Sequence, residues 1–178
     1  MAGNLEFINS TTVSSGVTTV DVDNVFSDSY DVYYCQIVGL YHNLDVSNVV
    51  EGIRLIDSGG SVISASEYDN ATLVLKADTT FQEVRNTSNS YMDMYLVTDQ
   101  QSDGSGSSSF YIYNPYDSSS YTFMQYQSTG ANSGSKWGGK GIAVHKSAET
   151  IRGFQLYESN VARTFGGGTI NVYGLASN

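Results

Sequence analysis

IRGFQLY at residues 151–157 and TINVYGL at 169–175 are separated by a short loop that runs into the triple glycine Gly166, Gly167 and Gly168. Their reading decides the fold. In the first, Phe154 and Leu156 alternate with residues of other character; in the second, Ile170 and Val172 do the same. A period of two is the mark of a strand with one buried face, and the spacing predicts an antiparallel pair. Two strands alone are marginal in water, so the pair implies a larger sheet upstream, with the last strand closing the fold.

Working outward, further strands are predicted at LEFI (5–8), VTTVDV (17–22), DVYYCQIVG (31–39), EGIRLID (51–57), SVISA (61–65), ATLVLKA (71–77), YMDMYLV (91–97), SFYIYN (109–114), SYTFMQYQ (120–127) and GIAVHK (141–146). Clusters of Ser, Gly, Asn and Asp separate them at the interval expected of a sandwich or barrel. No stretch longer than about one turn keeps apolar residues at helical spacing, which excludes repeated βαβ units. The expectation is an all-β, antiparallel, jelly-roll-like β-sandwich filling residues 1–178 as one domain, a length that buries a substantial core without a second unit.

Composition narrows the function classes. Charged residues make up 15% of the chain and the formal net charge is −10. The eight Lys and Arg are scattered, whereas a nucleic-acid backbone selects clustered cations, so no nucleic-acid partner is expected. No apolar run approaches the length of a membrane span, and MAGNLEF lacks the basic and apolar regions of a signal peptide. Sequons begin at Asn9, Asn70 and Asn86 and count for little without a secretory route. Cys35 is the single cysteine and reads as a small buried hydrophobe within YYCQI. Fourteen tyrosines and a surface rich in Ser, Thr, Asn and Gln leave neutral hydrogen-bonding groups as the main surface chemistry.

Several strings imitate functional motifs. DSGGS at 57–61 resembles the nucleophile segment of trypsin-like proteases, but the upstream His42 has no matching context, and a tight turn joining IRLI to SVIS is the simpler reading. GSKWGGKG at 134–141 nearly fits a phosphate-binding loop, yet Gly141 stands where Ser or Thr belongs and a strand follows where a helix is required. Lys136, Trp137 and Lys140 are instead singled out as a surface contact patch for a sugar or a partner. Asp21, Asp23, Asp28 and Asp31 form an acidic run whose oxygens suit calcium, though the alternation with Val20 and Val22 reads more simply as a solvent face. His42 and His145 are too few for zinc. No nucleophile, base and orienter assemble, so the expectation is a protein without catalytic activity and without cofactor. DQQSDGSGSSS at 99–109 reads as a protruding loop, and Pro115 as a strand terminator.

The order DVYYCQIVGL, GIRLIDSGGSVI, YIYNPYDSSSYTF, IRGFQLYESN and GGGTINVYGL resembles a type of virion protein of tailed bacteriophages, especially those of aquatic hosts. That resemblance implies a jelly-roll-like sandwich mounted on a virus particle as a homotrimer, its partners being capsid or tail proteins of the same virion. The expected function is a capsid decoration or cement protein. The alternatives are a receptor-binding or tail-fibre-associated module recognising a host glycan and, from another class, a carbohydrate-active enzyme, which would need facing carboxylates in a cleft.

Overall fold

The computed structural model describes residues 4–44, 48–99, 105–132 and 135–176, and its regular elements are all β-strands. In chain order these are β1 (Leu5–Thr12), β2 (Thr19–Val22), β3 (Val32–His42), β4 (Asn48–Asp57), β5 (Tyr68–Lys76), β6 (Gln82–Asn89), β7 (Met92–Thr98), β8 (Gly106–Tyr113), β9 (Thr122–Asn132), β10 (Ser135–His145), β11 (Ile151–Tyr157) and β12 (Phe165–Leu175). They form a large sheet in the order β1-β12-β3-β8-β9-β10-β5-β6 and a small one in the order β2-β11-β4-β7, with every pairing antiparallel.

Setting aside β5, β6, β9 and β10 leaves β1-β12-β3-β8 facing β2-β11-β4-β7. Along those eight strands the chain changes sheet at every step except β4 to β7. That is the jelly roll expected from the sequence. The other four strands are two excursions of the chain that extend the large sheet beyond β8.

Alternation places the core. On β3, Tyr33, Cys35 and Ile37 are fully buried while Tyr34, Gln36 and Val38 point away from the small sheet. Opposite them lie Leu55, Phe154 and Leu156, and the buried residues of both sheets form one cluster. Phe110 of the large sheet meets Phe154 of the small one edge-on at 5.6 Å, and each such side chain contributes about 1.5–3 kcal/mol by leaving water. Buried phenols are partnered: Tyr68 donates to the Ile63 carbonyl (3.0 Å) and accepts from the Leu55 amide (3.2 Å). Tyr126 meets the Thr72 hydroxyl at 2.6 Å, and a Cβ at Gly141 would come within 2.7 Å of its ring, so this strand stays glycine.

The structure corrects the predicted terminal pair. β11 lies between β2 and β4 in the small sheet, whereas β12 lies between β1 and β3 in the large one. Alternation shows that a strand has one buried face but not which layer it joins, and the segment between the two strands crosses the sandwich. SVISA is not a strand; only Val62 bridges to Ile56. The turn at DSGGS is as expected, with the Gly60 amide donating to the Asp57 carbonyl (3.0 Å), the Ser61 amide donating to Asp57 Oδ1 (2.9 Å) and Gly60 at φ +85°. Pro115 follows β8, and its carbonyl accepts from the Ile151 amide at 2.7 Å. Of the predicted loop 99–109, residues 100–104 lie outside the described residues and β8 already begins at Gly106.

Candidate functional site

The small sheet covers one face of the large sheet, and the side chains of the opposite face are open. Register brings their residues into ranks that run across the strands. One rank reads Phe7, Tyr173, Tyr34, Tyr111, Gln125, Ile142, each the cross-strand partner of the next. The next reads Asn171, Gln36, Ser109, Gln127, Lys140. Neighbouring strands lie about 4.8 Å apart, so Tyr173 to Gln125 spans about 14 Å.

The tyrosines hold one another in place. Tyr34 and Tyr111 sit 5.0 Å apart between ring centres, Tyr34 and Tyr173 6.1 Å, and Phe7 meets Tyr173 edge-on at 5.7 Å. The Gln36 amide donates to the Tyr34 hydroxyl (3.0 Å), and Tyr113 donates to Gln125 Oε1 (3.3 Å). The rings are therefore fixed in orientation while their faces stay accessible, Tyr111 being 40% exposed.

Several hollows line this face among the described residues, and three of them lie on or beside the two ranks. Tyr34, Gln36, Ser107, Ser109, Gln127 and Thr129 border one of about 290 Å³, and Ser109, Tyr111, Gln125, Gln127 and Lys140 border a smaller one of about 150 Å³. The third, of about 440 Å³, is an apolar trough over the added strands, with Phe123, Ile142 and Val144 on its floor and Arg85 at its side. Lys140 makes no ion pair among the described residues, whereas Asp69 is held by Lys146 at 2.8 Å and that cation lowers its carboxyl below the usual carboxylate range.

Chemically, such a surface offers flat rings, neutral amide and hydroxyl groups and one uncommitted amine. Rings take up the C–H face of a ligand and amides satisfy its hydroxyls. Two carboxylates, Glu83 and Asp69, lie toward the outer edge. Asp69 is four residues from Leu73, the partner of Glu83, or about 13 Å along β5. Paired-carboxyl glycoside hydrolysis needs about 5–9.5 Å.

The residues singled out in the sequence are distributed differently. Lys136 and Lys140 are exposed on β10, but Trp137 has the opposite parity; it is half-buried and Lys76 Nζ lies 4.2 Å from its ring. Of the acidic run, Asp23 accepts two bonds from Arg152 (2.7 and 2.6 Å), which hold its carboxyl below the usual range, and Asp21 accepts from Gln155 (2.8 Å). Asp28 and Asp31 lie instead around a hollow with Asn114 and Asp117. Sequence reasoning found no nucleophile, base and orienter together, yet the fold does place such residue types side by side: Thr98 Oγ1 lies 2.6 Å from His42 Nδ1, and Glu158 Oε2 lies 3.5 Å from His42 Nε2. All three are buried to 2% exposure or less, so this is an interior polar cluster that no substrate reaches.

The open-face rank was missed because Tyr34, Tyr111, Gln125 and Tyr173 come from four strands far apart in the chain. Its signal was present: Tyr and Gln occupy outward positions where a solvent face ordinarily carries Lys, Glu or Thr.

No protein-family model matches the chain, and no curated protein matches it. Among solved structures it is similar to the crystal structure of the marine PL-14 alginate lyase from Aplysia kurodai, with a TM-score of 0.38 and 8% identity over 86% of this chain and 72% of that one. The expectation of a capsid decoration or cement protein is corrected by this outcome. The structure reported as similar is a polysaccharide lyase, the class of the carbohydrate-active alternative.

Proposed function

We propose that the open face of the large sheet binds a polysaccharide chain lying across the strands. The observation that carries this reading is the rank Tyr173, Tyr34, Tyr111, Gln125, with Gln36, Ser109 and Gln127 in the rank beside it. Its spacing of about 4.8 Å per strand is close to the advance of one hexose along an extended chain, so successive sugars meet successive side chains. Rings immobilised by one another lose little entropy when a ligand stacks on them. Titration calorimetry against a panel of soluble neutral and acidic polysaccharides is the test. Binding that is weakened at least tenfold by both Tyr34→Ala and Tyr111→Ala is the expected result; no binding across the panel, or binding indifferent to both changes, rejects the reading.

A second reading, that the face also cleaves the chain, is favoured by Lys140 and Tyr111 bordering the same hollow. An amine and a phenol can take and return a proton, and this face lacks closely spaced carboxylates among its described residues, so proton abstraction beside a carbonyl-bearing carbon suits it better than hydrolysis. That chemistry requires a uronate-type sugar. Appearance of unsaturated products absorbing in the ultraviolet, lost in Lys140→Ala and in Tyr111→Phe, distinguishes cleavage from binding alone.

A further inference from the structure

Away from the open face, at the rim where β10 ends, three metal-ligating side chains converge. His145 is the last residue of β10, Glu67 immediately precedes β5, and Glu149 lies in the connection to β11. His145 Nε2 stands 3.1 Å from Glu67 Oε2 and 3.7 Å from Glu149 Oε1, and the three donor atoms all lie within 4.8 Å of one another. The imidazole is fully buried and packs against Tyr68 with ring centres 5.0 Å apart, while both carboxylates reach the surface.

We infer that Glu67, His145 and Glu149 form a binding site for a divalent transition metal of the zinc class. The donor spacing fits: ligands at about 2.0–2.2 Å around a tetrahedral zinc lie about 3.3–3.6 Å from one another, between the two distances seen. The charge fits as well. Two carboxylates face one imidazole nitrogen, and a dication between the three groups relieves the repulsion of the carboxylates.

An independent observation comes from the opposite side of the ring. His145 Nδ1 is buried without a hydrogen-bond partner, and so is the hydroxyl of Thr122, the cross-strand partner of His145 on β9. Two orphaned polar groups on paired residues are costly. With metal on Nε2 the imidazole proton resides on Nδ1, and a small shift of the Thr122 side chain, which does not reach Nδ1 as it stands, supplies the acceptor that a ligating histidine ordinarily has. The remaining coordination positions face the surface, where water fills them.

Titrating the intact chain with zinc chloride is expected to show one site per chain and a rise in thermal midpoint, since a ligand that binds only the folded state stabilises it by mass action. Glu67→Gln combined with Glu149→Gln, both at the exposed rim, is expected to abolish that binding while the metal-free thermal midpoint stays near wild type. Thr122→Val is expected to weaken zinc 10–100-fold, the loss typical of a missing outer partner. Absence of binding at millimolar zinc, or binding undiminished in the double variant, overturns the site. Equal affinities for wild type and Thr122→Val overturn the part assigned to Thr122.

Discussion

The sandwich has two outer faces that are built from the same residue types and put to opposite use. On the small sheet, polar side chains are spent on one another: Arg152 grips Asp23 through two bonds, Gln155 donates to Asp21, and Arg54 lies 3.5 Å over the Tyr157 ring while donating to the Ser90 carbonyl. On the large sheet, tyrosine rings pack tilted against one another and stay partly exposed, the outward Gln127 and Lys140 are exposed, and Ile142 is 61% exposed on the trough floor. A self-paired face has little left to offer a ligand. An uncommitted one keeps its groups available, and on the proposed reading that difference separates the binding side from the other when no cleft does.

The change with the largest expected effect removes the comparison altogether. Phe154 stands between the sheets against Phe110 and Phe26, so Phe154→Ala opens a cavity beneath both faces. A loss of about 3–5 kcal/mol is expected, read as a fall in the urea midpoint. A drop below about 1 kcal/mol contradicts the common core.

An intermediate effect separates the faces. Tyr34→Ala is expected to weaken polysaccharide binding at least tenfold, about 1.4 kcal/mol, while shifting stability less than Phe154→Ala does. Tyr157→Ala, on the opposite side, is expected to leave binding unchanged. Equal losses from the two substitutions would erase the distinction between the faces.

How much of this was legible in the chain follows from what alternation encodes. Val20 and Val22, Tyr33, Cys35 and Ile37, and Ile170 and Val172 all sit in the core where a period of two puts them, so the all-β architecture could be read directly. β6 could not: QEVRNTSN pairs only with β5 at the margin of the sheet, nearly all its residues are exposed, and no apolar period remains to betray it. Layer membership was equally hidden, because β11 and β12 show the same pattern in different sheets. The site needed register, which depends on pairings between segments as distant as Tyr34 and Tyr173. For the rim cluster, His145 was visible as a residue, but its approach to Glu67 across 78 positions was not.

The smallest effect expected sharpens the contrast from the closed side. Asp23 has its carboxyl lowered below the ordinary value of 3.8, chiefly by its bonds to Arg152 and also by the Asn24 amide. A carboxyl with a depressed folded-state pKa lends stability that is fully present above the unfolded value and disappears as pH falls through the folded one. The pair is about one-third exposed at each end, so its contribution is small, about 0–1 kcal/mol. Asp23→Asn is therefore expected to lower the urea midpoint slightly at pH 7, and the gap from wild type is expected to close as the pH drops below about 3.8. Polysaccharide affinity at pH 7 is expected to be the same in both. A gap that persists unchanged in acid assigns the loss to packing instead of charge, and a fall in affinity shows that the small-sheet face takes part in binding after all.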